Sequence, residues 1–251
     1  PAAARRRAID AALARVLAAD PDRQDEAASV YRRLLLPPEG GDAAQGALDP
    51  AALEAFRAFL AQSPDTLARR VDRRWLFTLL VERAREDERR RALAAWAAWE
   101  EEIGERAAAA ALYARLLEAD PENDDALAAR GRLLAELGDD EGAAEVLAMR
   151  RDRSEGSARV ALDVELAKLL LDRLDRPAEA LDAVAPAIEA GTIEPAVLEI
   201  AERALGRPET QARAALLLER ACDALDDVEA RVALLETLLA SAPAPRPPSE
   251  A

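Results

Sequence analysis

Apolar side chains recur along most of the chain at intervals of three and four residues, which is the spacing of one face of an α-helix. Leu53, Phe56 and Phe59 show this spacing after Asp49-Pro50, a helix-capping residue followed by proline at the first helical position. Alanine, leucine, arginine and glutamate dominate the sequence and favour helix, and runs of β-branched residues that form strands are missing. The pattern predicts an all-α protein.

Turn signals divide the helices into pairs. In residues 105–149 one helix is expected to run to Ala119, and a turn follows at 120–123. A second helix runs from there to Gly138, and a third begins after Asp139-Asp140. A single pair of short helices cannot bury its own apolar face, so such pairs stack on one another. The sequence therefore predicts an α-solenoid of antiparallel helix pairs, with about thirteen helices in all.

Apolar stripes are expected on helices near the two chain termini. The first helix, residues 5–19, carries Ile9, Leu13, Val16 and Leu17. The last helix, residues 228–240, carries Val232, Leu235 and Leu238-Leu239, which are expected to face inward. Between them, a long helix is expected to start at Ser63-Pro64-Asp65.

Pairs of residues four apart repeat at nearly constant intervals in the middle of the chain. Ala143 and Leu147 lie 34 residues after Ala109 and Tyr113, and a similar pair at Ala180 follows 37 residues later. The remaining signature positions are Leu127, Gly131, Leu134 and the turn Gly138-Asp139. On these residues the chain resembles the tetratricopeptide repeat family, most clearly over residues 90–191. In this alignment Leu134 is a core position, and Leu134→Asp is expected to unfold the central repeats.

The resemblance implies a role in binding proteins. In that family the first helix of each repeat lines a concave groove that holds a peptide or a partner's helix. The corresponding residues here are Arg132, Glu136, Glu165, Asp172 and Arg173. This groove is expected to be acidic with an arginine stripe, and to suit a basic or amphipathic helical partner, because opposite charge steers the encounter.

Composition shifts suggest four segments. They are an N-terminal helical hairpin and loop (1–48), an atypical aromatic-rich helical region (49–104), repeats with a C-terminal capping helix (105–241) and a proline-rich disordered tail (242–251). Trp75, Trp96 and Trp99 belong to the second segment. They are expected to be core residues, with a partly exposed docking groove or a small-molecule pocket as alternatives, since aromatic and arginine side chains are enriched in binding hot spots.

Charge is distributed unevenly. The formal net charge is −15, with about +1 on residues 1–100 and about −16 on the rest. The C-terminal part should therefore repel nucleic acid and anionic lipid. No apolar run approaches the ~20 residues of a membrane span, so no membrane insertion is expected. A cytoplasmic location is slightly favoured, and the alanine and arginine bias suggests a segment of a larger bacterial protein.

Catalytic residue patterns are absent from the sequence. There is no histidine and only one cysteine, which excludes histidine-based nucleophilic catalysis and clustered zinc ligands. The acidic pairs Asp124-Asp125, Asp139-Asp140 and Asp226-Asp227 each precede or begin a helix, where carboxylates cap free N–H groups. The expectation is a non-catalytic protein-binding scaffold without metal or cofactor. The alternatives are a self-assembling repeat with no separate ligand, and a small-molecule sensor or enzyme domain.

Overall fold

A computed structural model describes residues 2–36, 48–226, 228–229, 232–233 and 235–236. These residues form twelve α-helices and one short 3-10 helix, and they contain no strand, so the all-α prediction is confirmed. The expected loop at 37–47 and the proline-rich tail lie outside the described residues, as does most of the expected helix at 228–240.

The chain forms two compact units, Pro1–Pro121 and Glu122–Ala251. The helices of the first unit are α1 (Ala2–Ala18), α2 (Gln24–Leu35), α3 (Pro50–Gln62), α4 (Leu67–Arg83), α5 (Glu86–Glu102) and α6 (Arg106–Ala119), with the 3-10 helix at Pro21–Arg23. The helices of the second unit are α7 (Asp124–Leu137), α8 (Asp140–Arg153), α9 (Gly156–Asp172), α10 (Pro177–Glu189), α11 (Pro195–Leu205) and α12 (Gln211–Leu225).

Within each unit every helix packs on the next helix in the chain. In the second unit α9 also packs on α11, and α10 on α12. This order of packing agrees with the predicted α-solenoid. The core of the first unit contains Phe56 and Tyr31, and that of the second contains Leu181 and Ile200.

The apolar stripe predicted for α1 lies mostly outside the core. Ile9 is 60% exposed and Val16 is 69% exposed, and Leu13 is exposed as well, whereas Ala14 and Leu17 are buried. Helix α1 packs mainly on α2, and the small side chain of Ala14 permits close approach there. Of the four predicted residues, only Leu17 therefore joins the core.

Two further predicted positions differ from the structure at the other terminus. Val232 and Leu235 were expected to face inward, but both are exposed, as is Val228. Within the described part of the chain, no helix covers this apolar stripe.

The start of α4 is also shifted relative to the prediction. The hydroxyl of Ser63 donates to the Phe59 carbonyl at 2.7 Å and so closes α3. The capping residue of α4 is instead Thr66, whose hydroxyl accepts from the Arg69 N–H.

The core position predicted in α7 is likewise corrected, because Leu134 lies in the last helical turn and is only partly buried, whereas Leu133 is fully buried.

Candidate functional site

The hairpin of α7 and α8 provides the base of the candidate site. The Asn123 side chain accepts from the Ala126 N–H at 3.0 Å and starts α7. Gly138 ends α7 in the left-handed conformation, with φ of 79°, which glycine adopts without steric cost. Asp139 then accepts from the Gly142 N–H and starts α8. These predicted boundaries are confirmed.

Gly131 sets the distance between the two helices. A Cβ atom at this position would lie 3.1 Å from Cγ1 of Val146, which is tighter than ordinary van der Waals contact. Gly131 is therefore the small residue that allows α7 and α8 to pack closely, as the sequence predicts.

A cavity of about 320 Å³ lies where α9 passes the α7–α8 hairpin. Its lining is mainly apolar, with charged side chains of Arg132, Arg150 and Glu165. The apolar lining residues are Leu127, Ala128, Gly131, Ala135, Ala143, Val146, Leu147 and Leu169. Apolar walls with a few polar groups are the usual composition of binding pockets.

The charged groups of the cavity differ in how they are paired. Arg132 forms an ion pair with Glu136 one helical turn away, at 3.3 Å. Arg150 pairs with Asp124 at 3.2 Å. Glu165 is exposed on α9 and forms no ion pair within the part of the chain that the structure describes. With two arginines and one glutamate, the charge lining the cavity is mixed rather than uniformly acidic.

The structure places Asp172 and Arg173 away from the cavity lining, at the C-terminal end of α9. Asp172 pairs with Arg203 of α11, and Arg173 pairs with Asp140 of α8 at 3.2 Å. Both side chains therefore connect α9 to other helices. Of the five predicted groove residues, Arg132 and Glu165 line the cavity. Glu136 does not line it but forms an ion pair with Arg132, which does.

Similar ion pairs recur between helices and turns of the second unit, and they were not predicted from the sequence. We call this set the ion-pair ladder. Its members are Arg173–Asp140, Arg176–Glu141, Arg203–Asp172, Arg207–Asp175, Arg213–Asp182 and Arg220–Glu189. In each pair an arginine follows its acidic partner by 31 to 35 residues, a recurrence that could have been found in the sequence.

The aromatic residues of the first unit form two clusters. The Trp75 ring packs edge-on against Phe56, with 6.1 Å between centroids. Trp96 stacks on Phe77 at 5.8 Å, and Trp99, which is only 7% exposed, packs on the same phenylalanine. The three tryptophans thus contribute to two packing clusters.

Arginine side chains lie over two of the three tryptophan rings. Arg32 lies over Trp75, with its guanidinium carbon 5.7 Å from the ring centroid. Arg73 and Arg74 lie over Trp99 at 5.3 and 5.9 Å. These cation–π contacts occupy ring faces that a docking partner would otherwise use.

Glu100 is a buried carboxylate with strong partners. It is 1% exposed and accepts two hydrogen bonds from Arg74, at 2.8 and 2.7 Å, and one from the Trp96 indole N–H at 2.8 Å. Burial alone raises the pKa of Glu100, but the hydrogen bonds from Arg74 and Trp96 outweigh it and hold that pKa below its usual range. The residue stays ionised and fixes α5 to α4.

Asp72 and Asp163 are also buried. Asp72 pairs with Arg32 and, at 2.9 Å, with Arg69, which also pairs with Asp25. Among the described residues, the ion-pair partner of Asp163 is Arg151, whose Nε lies 3.8 Å away. Burial raises the pKa of Asp163, and nearby arginines reverse this only in part.

The described residues contain no group of three or more potential metal ligands. Among the same residues, no helix combines the length and apolar character needed to cross a membrane.

No protein-family model matches the chain, and no curated protein is significantly similar to it. The case for a function therefore depends on the geometry of the cavity and its surroundings.

Proposed function

We propose that this chain is a non-catalytic helical-repeat scaffold that binds a protein partner through the cavity between α7, α8 and α9. The observation that carries the proposal is an open, apolar cavity with a charged side chain, Glu165, that has no ion-pair partner among the described residues. A partner with an apolar anchor and an adjacent basic group fits both features.

The cavity is large enough to hold one anchoring side chain of a partner. A volume of about 320 Å³ lies at the lower end of the range of ligand pockets, which is roughly 300–1,000 Å³. Interfaces depend on a few anchors that fill such pockets. The resemblance to tetratricopeptide repeats, whose grooves hold extended peptides or helices, agrees with this mode of binding.

The test is selection of a displayed peptide library on the full chain, followed by titration of the selected peptides. We expect peptides with an aromatic or leucine anchor flanked by lysine or arginine. Ala135→Trp should fill the mouth of the cavity, since Ala135 is an exposed lining residue. Glu165→Arg should repel the basic group. Each change is expected to weaken binding about tenfold or more, which corresponds to 1.4 kcal/mol.

Matched controls are available on exposed positions outside the cavity. Ala178→Trp on α10 and Glu145→Arg on α8 make the same changes at residues that do not line it. Asp172 is left unchanged, because its reversal would break the contact with Arg203. Peptides that bind the cavity variants and the controls equally well would contradict the proposal.

A further inference from the structure

Helix α1 presents a row of apolar side chains to solvent. Ile9, Leu13 and Val16 are exposed and lie on one helical face, since they are separated by four and three residues. Arg5 and Arg6 are exposed four and three residues before Ile9, so they extend the same face. We call these five residues the α1 face. Single exposed apolar residues are ordinary, but a contiguous row marks an interaction surface.

A second exposed row follows α12. Val228, Val232 and Leu235 are exposed and have the same spacing, four and then three residues. Glu229 and Glu236 are exposed among them. We call these five residues the C-terminal face.

The two faces carry opposite charge. Residues 2–16 contain four arginines and one aspartate, whereas residues 216–236 contain six acidic residues and two arginines. A contact between two α1 faces, or between two C-terminal faces, would bring like charges together, which disfavours it. A contact between one face of each kind pairs apolar rows and opposite charges.

We propose that the α1 face of one copy binds the C-terminal face of a second copy of this chain. Both faces are exposed within a single copy, so they are available for this contact. Because the two surfaces differ, the contact is heterologous, and each added copy leaves one face of each kind free for further growth or for closure into a ring. None of the residues of the two faces lines the cavity of the proposed function.

The first test is the mass of the full chain in solution. Light scattering and sedimentation velocity should show species larger than the 27.0 kDa monomer, increasing with protein concentration. High salt should weaken the association, since it screens exposed charges. A mass of 27.0 kDa at all concentrations would overturn the proposal.

A mixing experiment tests the pairing of unlike faces. Val16→Asp blocks the α1 face and Val232→Asp blocks the C-terminal face, and both residues are exposed, so helicity by circular dichroism should be retained. Each variant alone should be monomeric, and their mixture should give a dimer and nothing larger. Leu67→Asp, at an exposed position on α4, is the control and should assemble like the unmodified chain.

Two results of these experiments would contradict the pairing. If the mixture stays monomeric, or if Leu67→Asp blocks assembly as strongly as Val16→Asp, the proposed faces do not bind each other. Vesicles of phosphatidylserine and phosphatidylcholine provide a third measurement, because a basic amphipathic helix can also lie on an anionic lipid surface. If the chain binds these vesicles, Val16→Asp abolishes that binding and no self-association is seen, then the α1 face binds a lipid surface and not a second copy.

Discussion

Buried carboxylates show how neighbouring residues decide the energetic effect of a single charge. Glu100 receives hydrogen bonds from Arg74 and Trp96, whereas the ion pair of Asp163 with Arg151 is long, at 3.8 Å. A buried charge is costly unless it is paired and hydrogen-bonded. The same type of group therefore stabilises the fold at one position and opposes it at the other.

Replacing Glu100 by glutamine should destabilise the protein. The change removes the charge that Arg74 faces, and we expect a loss of about 2 kcal/mol in the free energy of unfolding at pH 7. Because the pKa of Glu100 is lowered in the folded state, its contribution is present above the unfolded-state pKa and is lost as the pH falls through the folded-state value. Urea unfolding should thus show a smaller difference in strong acid. Glu102→Gln, at an exposed neighbour, is the control and should change little.

Replacing Asp163 by asparagine should instead stabilise the protein. Its pKa is raised in the folded state, so the ionised group opposes folding, and stability falls as the pH rises through the folded-state pKa. We expect Asp163→Asn to gain about 1 kcal/mol at pH 7, with the difference vanishing at low pH. A loss of stability at pH 7 in thermal unfolding would show that the pair with Arg151 outweighs burial.

At the scale of elements, the ends of α7 and the start of α8 were predicted well, because one side chain decides each of them, although the start of α4 was not. Asn123, Gly138 and Asp139 act locally, so their roles can be recognised in the sequence. The exposed face of α1 could not be predicted in this way, because a stripe of Ile9, Leu13 and Val16 fits a helix equally well whether a neighbour covers it or not. The cavity could not be predicted from the sequence either, because it depends on how α9 passes the α7–α8 hairpin.

The cap of α4 tests whether a single side chain determines where a helix starts. Thr66→Ala should cost about 1 kcal/mol, because the Arg69 N–H loses its acceptor. Thr66→Ser should be nearly neutral. Chemical unfolding of both variants measures this difference, and a Thr66→Ala variant as stable as the unmodified chain would contradict the cap.

The α7–α8 contact should tolerate no branched side chain at Gly131. Gly131→Val places two methyl groups beyond a Cβ that already lies 3.1 Å from Val146, and overpacking of this kind costs about 1–3 kcal/mol. Thermal unfolding should show the loss. A second substitution, Val146→Ala, should recover part of it by making room, and additive losses in the double variant would refute the close contact.

At the scale of the whole molecule, two compact units imply that stability is distributed. Phe56→Ala and Leu181→Ala each truncate a fully buried side chain, one in each unit, at a cost of about 3 kcal/mol. Hydrogen exchange with mass spectrometry should show faster exchange mainly in residues 2–121 for the first variant and in residues 122–226 for the second. Equal acceleration everywhere in both variants would indicate a single cooperative unit.

The ion-pair ladder of the second unit also has a mechanical consequence. Its pairs lie at the surface, where each contributes no more than about 1 kcal/mol, so one pair can open without its neighbours or the apolar core. A load applied along the helices would then be taken up first by pairs such as Arg207–Asp175, which re-form when the load is released. We therefore expect the second unit to become less stiff as ionic strength rises, because salt screens these exposed pairs.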